Sequence, residues 1–417
     1  MERLLGSLLK RVVHYGSLEV QTASGAKICC GSGHAPAVSV RLADTATEIR
    51  LLQDPSLAVG ELYSEGRIIL ERGTLYDLAE ICVKNVENLN QVPWLAGLER
   101  ARHMLRRAFQ RNNVDRAQRN VAHHYDLGED FYALFLDADM QYSCAYFEHS
   151  DMSLDSAQRA KCRHIAAKLL IEPGHRVLDI GSGWGGLALY MASMCDADVT
   201  GITLSRDQLA TAIGRSKRQM MESHAAFRLQ DYRSVDERYD RIVSVGMFEH
   251  VGIDWYETYF KHIAQSLTSD GVALVHTIGR TDAPGVTNRW IEKYIFPGGY
   301  APTLSEIIPA IERAGLLITD IEVLRLHYAE TLKHWRARFH AQREAVLKLY
   351  DAKFFRMWDL YLATSEANFR LGYENIFQIQ VTRKLDALPI TRDYITAREH
   401  ALAAREGRGF GLQLAGE

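Results

Sequence analysis

The sequence predicts an α/β fold in which a doubly wound parallel sheet is preceded by a smaller α+β domain at the N-terminus. From Arg176 onward, short apolar strands alternate with helical patterns, which is typical of a parallel sheet covered on both faces. The chain has 417 residues, more than one typical domain needs. Its hydrophobic fraction of 47% and its charged fraction of 24% are ordinary for a globular protein.

The N-terminal segment mixes strand patterns with helical ones. Strands are predicted at "SLEV", "AVSVRL" and "TEIRLL", and a helix is predicted from Thr74 to about Val86, with "DPSLAVGELYSEGRI" joining them. The opening "MERLLGSLLKRVV" has apolar residues at helical spacing beside basic ones. We expect this helix to dock on the protein's own core, and contact with a membrane surface is the alternative interpretation.

A basic stretch follows this segment. The sequence carries seven arginines between Arg100 and Arg119, with Glu99 and Asp115 as the acidic residues nearby. Such a stretch is a solvated helix or a stripe that faces anionic phosphates, and both interpretations stay open. The net charge of −3 gives no general attraction to nucleic acid, so no nucleic-acid partner is expected.

Cysteine usage and the absence of long apolar runs indicate a cytoplasmic protein. No CxxC spacing occurs, which argues against a zinc site or a disulfide framework, and we expect no metal. No apolar run reaches the ~18 residues of a spanning helix, and the opening lacks the pattern of a secretory signal. The six cysteines are Cys29, Cys30, Cys82, Cys144, Cys162 and Cys195.

The main domain shows its elements clearly. Its strands are expected at "RVLDI", "DVTGITL", "AAFRLQ", "DRIVSVG", "GVALVHTI" and "NIFQIQVTR". Two helix starts are marked by capping boxes, Ser205 with Gln208 and Thr303 with Glu306. Residues 330–370 predict one or two long helices rich in aromatic residues, most of which we expect to pack in a core.

The strand "RVLDI" runs into a glycine-rich loop, "GSGWGG". Glycines at the end of a first parallel strand let the backbone approach a ligand closely. The spacing is not GxGxxG and no Walker lysine follows, so a dinucleotide is not the expected ligand. Asp179, just before the glycines, suits a ligand with an amino group, such as S-adenosylmethionine. A purely structural glycine turn is the alternative interpretation.

Several longer segments carry a resemblance. They are "VLDIGSGWGG", "GITLS", "LQDYR", "RIVSVGMFEHVG", "LVHTIG" and "HHYDLGEDFYALFLDADMQYSCAYF". Together they resemble the cyclopropane fatty acid synthase family of S-adenosylmethionine-dependent methyltransferases, and the likeness extends from about His123 to Lys384. "DPSLAVGELYSEGRI" is similar to the extra N-terminal domain of the bacterial members that modify phospholipids.

The resemblance implies a domain organisation. Residues 1–95 form a lipid- or membrane-associated α+β domain, and residues 96–120 form a basic linker. Residues 121–390 form a Rossmann-like class I methyltransferase domain with a helical acyl-binding insertion near 330–370. Residues 391–417 are expected to be a C-terminal tail.

The resemblance also implies where S-adenosylmethionine binds. It assigns the methionine part of the cofactor to Asp179, Gly181 and Gly183. It assigns the carboxylate end of that part to Tyr142 and Ser143.

The nucleoside part of the cofactor is assigned in the same way. Thr203 and Gln208 are expected at the ribose, and Gln230 and Asp231 are expected near the adenine. Generic methyltransferases carry an acidic residue for the ribose hydroxyls at the end of the second strand, where this sequence has Thr203. The family typically shares this departure, which therefore strengthens the resemblance.

A second site implied by the resemblance holds bicarbonate, the base of the reaction. The resemblance groups around this anion Cys144, Glu249, His276, the backbone of Ile278, and Tyr328. The cysteine is then a weak donor to the anion and needs no partner cysteine, and the glutamate accepts a hydrogen bond from the bicarbonate OH, which raises its basicity. Taken without the resemblance, these residues have ordinary interpretations, such as a small buried thiol, a helix cap and a core histidine.

The implied reaction transfers a methylene group from S-adenosylmethionine to the cis double bond of an unsaturated acyl chain in a membrane phospholipid. Methyl transfer gives a carbocation, and bicarbonate-assisted deprotonation then closes a cyclopropane ring. A related lipid C-methyltransferase that gives a methylene- or methyl-branched chain is the alternative. A non-catalytic lipid-binding protein is the hypothesis from a different class, and the intact glycine loop argues against it.

Partners and location follow from this function. We expect peripheral contact with an anionic membrane surface at the inner membrane face, since basic residues near such a surface each contribute ~1 kcal/mol. The family also suggests a homodimer.

Overall fold

The computed structural model describes residues 1–109 and 127–414. The strands of the described chain are, in order, β1 (Ser17–Gln21), β2 (Lys27–Gly31), β3 (Ala37–Leu42), β4 (Ile68–Arg72), β5 (Arg176–Ile180), β6 (Asp198–Thr203), β7 (Ala225–Leu229), β8 (Tyr239–Val245), β9 (Leu267–Arg280), β10 (Leu317–Val323) and β11 (Glu374–Thr382). The α-helices are, in order, α1 (Glu2–Val12), α2 (Thr45–Gln53), α3 (Pro55–Ser64), α4 (Leu75–Asn85), α5 (Pro93–Phe109), α6 (Glu129–Ala133), α7 (Leu154–Lys168), α8 (Gly186–Cys195), α9 (Arg206–Arg218), α10 (Tyr256–Ser266), α11 (Arg289–Tyr294), α12 (Leu304–Arg313), α13 (His327–Ala341), α14 (Arg343–Leu349), α15 (Ala352–Leu371) and α16 (Asp393–Leu414).

The chain forms two compact units. The first consists of Met1–Phe109, Gly285–Gly299 and Ala329–Glu374. The second consists of the described residues of Gln110–Pro284, Tyr300–Tyr328 and Asn375–Glu417. These boundaries differ from those expected from the sequence, because nearly all of α13 and the whole of α14 and α15 belong to the first unit.

The first unit contains a four-stranded sheet with the order β2-β1-β3-β4. β1 is antiparallel to β2 and parallel to β3, and β4 is antiparallel to β3. The strands predicted at "SLEV" and "AVSVRL" are confirmed as β1 and β3. The strand predicted at "TEIRLL" is wrong, because these residues lie in α2. Asp44 caps that helix by accepting a hydrogen bond from the Thr47 backbone N–H at 2.9 Å, and the cap overrides the strand pattern.

The helices of the first unit pack on one another around aromatic side chains. α15 packs against α3 and α4, and α11 packs against α3. A Cβ atom on Gly60 would lie 2.4 Å from the Trp290 ring, so glycine is what lets the indole reach the helix backbone. Most of the aromatic residues of 330–370 are buried, as expected for core packing: Trp335, Phe339, Phe355, Trp358, Tyr361 and Phe369.

Helix α1 docks partly as expected. Leu5 of this helix and Val13 just after it are buried, and α1 packs against α2 and β2. Leu4 is 64% exposed, so the apolar stripe of the helix is only partly covered. None of the helices that the structure describes combines the length and the apolar character that crossing a bilayer requires.

The second unit contains a seven-stranded sheet with the order β10-β11-β9-β8-β5-β6-β7. The neighbours from β9 to β7 are parallel, as predicted. The expectation of a wholly parallel sheet needs correction, because β10 and β11 pair antiparallel. β10 was not predicted from the sequence, so its antiparallel pairing with β11 was not expected.

Both faces of this sheet are covered, and alternate residues of one strand face opposite layers. Val177 and Leu274 pack in a cluster with residues of α7 and α8. Leu178 and Val275 pack in another cluster with residues of α10 and α12. The strand period of two thus distributes the core between the two helical layers.

The two predicted capping boxes are formed to different extents. The capping box of Thr303 with Glu306 is confirmed, with the Thr303 N–H donating to Glu306 Oε2 at 3.0 Å. The box predicted at Ser205 is half formed, because the Gln208 N–H donates to Ser205 Oγ at 3.3 Å while the Gln208 side chain bonds to Thr203 instead. The predicted C-terminal tail forms α16 over most of its length, and this helix packs against α7 and α8.

Candidate active site

A pocket opens at the carboxyl ends of β5, β6 and β8. β5 has β6 on one side and β8 on the other, so the strand order reverses here and leaves a crevice where ligands bind in such sheets. With its open mouth the pocket encloses about 1170 Å³, enough for a nucleoside-sized ligand. All nine residues predicted to bind a cofactor lie in its wall: Tyr142, Ser143, Asp179, Gly181, Gly183, Thr203, Gln208, Gln230 and Asp231.

The glycine loop adopts backbone conformations that favour glycine. Gly181 has φ +83° and Gly183 has φ +54°, both in the left-handed region. A Cβ atom on Gly181 would lie 3.0 Å from the Met247 Cβ atom, whereas a Cβ atom on Gly183 would meet nothing within 4 Å. Gly183 therefore borders open pocket space. α8 begins directly after the loop, so its N-terminal end supplies a positive potential beside the pocket.

Asp179 is the buried carboxyl group of the pocket. It is 2% exposed, and burial raises its pKa to about 7, although the charge of Lys161 acts in the opposite direction. Its Oδ2 atom has no hydrogen-bond partner among the described residues. Because buried acceptors are normally satisfied, this oxygen suits a ligand that brings a donor, above all a cationic one.

The loop that carries Tyr142 is held from behind by α7. The Lys161 ammonium donates to Gln141 Oε1 at 2.6 Å and to Ser143 Oγ at 2.8 Å. The Gln158 amide donates to the backbone carbonyls of Gln141 at 3.2 Å and Ser143 at 2.9 Å. Sequence analysis missed these supporting residues, because "LDSAQRAKCRHIAAK" has the composition of a solvated helix and nothing in it indicates burial.

The other end of the pocket is lined by paired polar side chains. Thr203 Oγ1 donates to Gln208 Oε1 at 2.9 Å, and the Gln230 side chain donates to a backbone carbonyl at 2.9 Å. Arg233, also missed from the sequence, binds both oxygens of Asp231 at 2.8 and 2.7 Å. Burial alone would raise the pKa of Asp231, but the hydrogen bonds from Arg233 lower it, so this carboxylate is ionised.

The five residues predicted for an anion site do not line the pocket wall. Ser143, His250 and Val245, which do line it, are each a chain or strand neighbour of one of the five. Cys144, Glu249 and His276 therefore adjoin the pocket, and the Ile278 backbone N–H donates to Glu249. The place of Tyr328 in the anion set of Cys144, Glu249, His276, Ile278 and Tyr328 stays a prediction. All of these except Ile278 are buried.

Glu249 is a second carboxyl group with a raised pKa. Burial raises its pKa to about 7. A hydrogen bond from the backbone N–H of Ile278, which lies 2.6 Å from Oε1, lowers the pKa but does not offset the effect of burial. Its Oε2 atom has no partner within the described ranges. Because the Ile278 N–H already donates to Glu249, an anion bound here would have to share that donor.

His276 is a neutral and oriented imidazole. Burial lowers its pKa well below the usual range, and the charges of Lys161 and Lys168 lower it further. The amide nitrogen of Gln378 lies 3.2 Å from Nδ1, and since an amide nitrogen only donates, Nδ1 must accept and the ring proton stays on Nε2. That Nε2 atom finds no hydrogen-bond partner in the described chain, which leaves a buried donor available to a ligand.

The fold and this pocket agree with comparisons to known proteins. The chain matches the family model described as mycolic acid cyclopropane synthetase over residues 112–379. It is similar to the solved structure of mycolic acid cyclopropane synthase CmaA1 complexed with SAH and CTAB, with a TM-score of 0.61 and 34% identity, covering 63% of this chain and 97% of that one.

Two curated relatives extend the likeness over most of the chain. The cyclopropane-fatty-acyl-phospholipid synthase of Escherichia coli (strain K12) is 37% identical over 359 residues, which cover 85% of this chain and 90% of that protein. The tuberculostearic acid methyltransferase UfaA1 of Mycobacterium tuberculosis is 34% identical over 394 residues, which cover 90% of each chain. The chain therefore belongs to the mycolic acid cyclopropane synthetase family of S-adenosylmethionine-dependent methyltransferases.

Proposed function

We propose that this protein transfers a methylene group from S-adenosylmethionine to the cis double bond of an unsaturated acyl chain in a phospholipid and closes a cyclopropane ring. The observation that carries the proposal is the pairing of one pocket, lined by the nine predicted cofactor residues, with an adjoining buried polar set. A relative that is 37% identical over 85% of the chain is a cyclopropane-fatty-acyl-phospholipid synthase, which supports the same substrate class.

The pocket fits S-adenosylmethionine at its amino-acid end. When bound, this cofactor supplies an electrophilic methyl group. The unpartnered Oδ2 atom of Asp179 would accept from the cofactor's α-amino group, and the glycine loop would let the chain approach closely. Thr203 and Gln208 would meet the ribose, and Gln230 and Asp231 would meet the adenine.

The adjoining set fits a small anion. His276 offers a buried Nε2–H, and Glu249 offers an oxygen without a partner in the described chain, so a group with one acceptor and one OH donor satisfies both. Bicarbonate has this character and would supply the base of the reaction. Cys144 and Tyr328 would complete its surroundings, with the Ile278 N–H shared with Glu249.

The alkene is the nucleophile in this reaction, so the protein needs no nucleophile of its own. A strong nucleophile beside the alkene would trap the carbocation. The groups that the chain provides here are engaged in hydrogen bonds: His276 Nδ1 accepts from the Gln378 amide, the Cys144 thiol donates to the Ala145 carbonyl, and Glu249 accepts from the Ile278 N–H. This chemistry is consistent with ring closure by removal of a proton.

We also propose peripheral contact with an anionic membrane surface. Most of the predicted arginine stretch lies outside the residues whose side chains the structure describes, and Arg102 donates to the backbone carbonyl of Thr287 at 3.0 Å. On α5, which contains the first four arginines of this stretch, Trp94 is 46% exposed and Met104 is 79% exposed. Exposed apolar side chains followed by arginines are typical of a helix that lies on lipid.

A branched product is the second candidate. Two family relatives, a tuberculostearic acid methyltransferase and a methoxy mycolic acid synthase, have names that mention no cyclopropane product. The first chemical step would be the same for these products, and only the fate of the carbocation would differ.

The product can be tested in a bacterial host that lacks its own cyclopropane synthase. We expect phospholipid acyl chains to gain the mass of one methylene group, and NMR to show cyclopropane protons with loss of the alkene protons. The same host with Gly183→Val serves as the control without cofactor binding. A methyl or methylene branch would favour the second candidate, and unchanged lipids would contradict both.

Gly183→Val should abolish binding of S-adenosylhomocysteine, because a side chain there projects into pocket space. Gly174→Val is the matched control, since Gly174 also has a positive φ, +78°, and open space around its Cβ position but does not line the pocket. Both variants should lose about 1–3 kcal/mol of stability from backbone strain. Calorimetric titration would contradict the assignment if both variants bound the ligand equally well.

The affinity for S-adenosylhomocysteine should fall as pH is lowered. Asp179 has a pKa of about 7 in the free protein, so below that pH its carboxyl group is protonated and no longer attracts the ligand's ammonium group. Between about pH 8 and pH 6 we expect a loss of about tenfold, because affinity falls by up to about tenfold for each pH unit below the pKa of the group. Asp179→Asn should bind weakly at both pH values. Affinity of the parent protein that does not change with pH would contradict this role.

Substitutions in the anion set should show whether Cys144 acts as a weak hydrogen-bond donor or as a nucleophile. Cys144→Ser should keep a substantial fraction of the activity, because a hydroxyl donates at least as well as a thiol. Glu249→Gln should lower the rate by about ten- to hundredfold, since a charge-assisted hydrogen bond contributes about 1.5–3 kcal/mol. Added bicarbonate should partly restore Glu249→Gln in buffer depleted of carbon dioxide.

Cys162→Ser is the control for these variants. Cys162 is a buried cysteine of α7 that lies outside the anion set, so its change tests only the cost of a buried hydroxyl. The anion assignment fails if Cys144→Ser is inactive, Glu249→Gln is near the parent rate, and bicarbonate affects neither.

A further inference from the structure

Lys161 is a buried cation that the proposed reaction does not use. Its side chain is fully enclosed, with 0% exposure. The hydrogen bonds of its ammonium group go to two neutral oxygens, Gln141 Oε1 and Ser143 Oγ. Asp137 and Asp139 act on it through space only. A buried ammonium group placed on neutral partners is costly, so its position calls for a functional reason.

The position of Lys161 fixes the direction of its neighbours' hydrogen bonds. A lysine ammonium group donates and never accepts, so Gln141 Oε1 and the Ser143 oxygen are both used as acceptors. The amide nitrogen of Gln141 and the hydroxyl hydrogen of Ser143 are then left as donors. Both residues line the pocket, so this part of its wall presents donors to a ligand.

The backbone of the same loop is held elsewhere. Gln158 donates to the carbonyls of Gln141 and Ser143, and Asp137 accepts from the Gln141 N–H at 2.9 Å. With these three backbone groups engaged, the side chains of Gln141 and Ser143 offer their donors to the pocket beside Tyr142, which also lines it. Asp179, with its unpartnered oxygen within the described chain, offers an acceptor in the same pocket. One donor region and one acceptor match a ligand that carries both a carboxylate and an amino group.

We propose that Lys161 is a positioning residue that makes the pocket selective for a ligand with a carboxylate, because it holds Ser143 and Gln141 as donors to that group. The ligand class is an amino-acid-bearing nucleoside thioether or sulfonium. The inference rests on the proposed function, in which the pocket holds the methionine part of S-adenosylmethionine. Lys161 is not among the residues that line the pocket, and it acts through the two side chains that it orients. Its charge also lowers the pKa of Asp179, and Ser143→Ala separates the two effects because it leaves that charge in place.

The test compares two probes by isothermal titration calorimetry. S-Adenosylhomocysteine carries the carboxylate, and 5′-methylthioadenosine has the same nucleoside thioether without the amino-acid group. Lys161→Met should weaken binding of the first by about tenfold or more, since the donors lose their charge-assisted orientation. Binding of the second should stay within about twofold of the parent protein. Equal losses for both probes would mean a general structural role, and no loss for either would mean no role, so both outcomes overturn the proposal.

Two further variants keep the test decisive if Lys161→Met does not fold. Ser143→Ala removes the hydroxyl through which the lysine acts and should show the same selective loss. Lys161→Gln keeps a neutral donor of similar reach and should recover part of the affinity for S-adenosylhomocysteine. In the double variant Lys161→Met with Ser143→Ala, the loss of binding free energy for S-adenosylhomocysteine should be smaller than the sum of the losses in the two single variants. Full additivity would overturn the proposal.

The failure of this proposal can be told from the failure of the proposed function. If the parent protein binds neither probe, the proposed function fails and this inference fails with it. If the parent protein binds both and the variants lose no selectivity, only the role of Lys161 is refuted. The Lys168→Met variant controls for the loss of a buried lysine, since Lys168 lies in the same helix, is equally buried and pairs with Glu322. It should leave the ratio of the two affinities unchanged, and a changed ratio would overturn the proposal.

Discussion

Helix α7 is buried along most of its length although it carries basic side chains, and much of the second unit is arranged around this constraint. Burying a charge costs several kcal/mol unless a partner is supplied, so each of these side chains requires a group from elsewhere in the chain. The partners come from the loop before the helix, from β10 and from α16, and the pairs are Arg163 with Glu148 and Glu406, His164 with Glu322 and Glu399, and Lys168 with Glu322.

The same helix connects these ion pairs to the pocket. Its residues Gln158 and Lys161 reach the loop that carries Tyr142 and Ser143, while Arg163 and His164 reach α16. The C-terminal helix is therefore part of the support of the pocket, although none of those of its residues whose side chains are described lines it. Two carboxyl groups with raised pKa values, Asp179 and Glu249, then stand in different surroundings, one facing a ligand pocket and the other bonded to a backbone N–H.

The sequence allowed the residues of the pocket wall to be predicted, but not the residues of α7 that hold them in place. The nine predicted residues of its wall follow strand ends or sit in continuous motifs, so their meeting point follows from the order of the strands. Lys161 could not be found in this way, because its burial depends on partners more than a hundred residues away that cover the rest of α7. The strand predicted at "TEIRLL" failed for a local reason, since the cap at Asp44 competes with the apolar pattern. The antiparallel pair at the edge was missed because β10 was not predicted, since the strand pattern in "LITDIEV" is weak.

The antiparallel pairing of β10 with β11 has a consequence for how such chains diverge. The chain leaves the sheet at the end of β10 and returns in the neighbouring strand after α13, α14 and α15. The entropy of closing such an excursion grows only slowly, by about 0.6 kcal/mol for each doubling of its length. Helices of different length and sequence can therefore connect β10 to β11 at a small entropic cost and without a change in the register of the two strands.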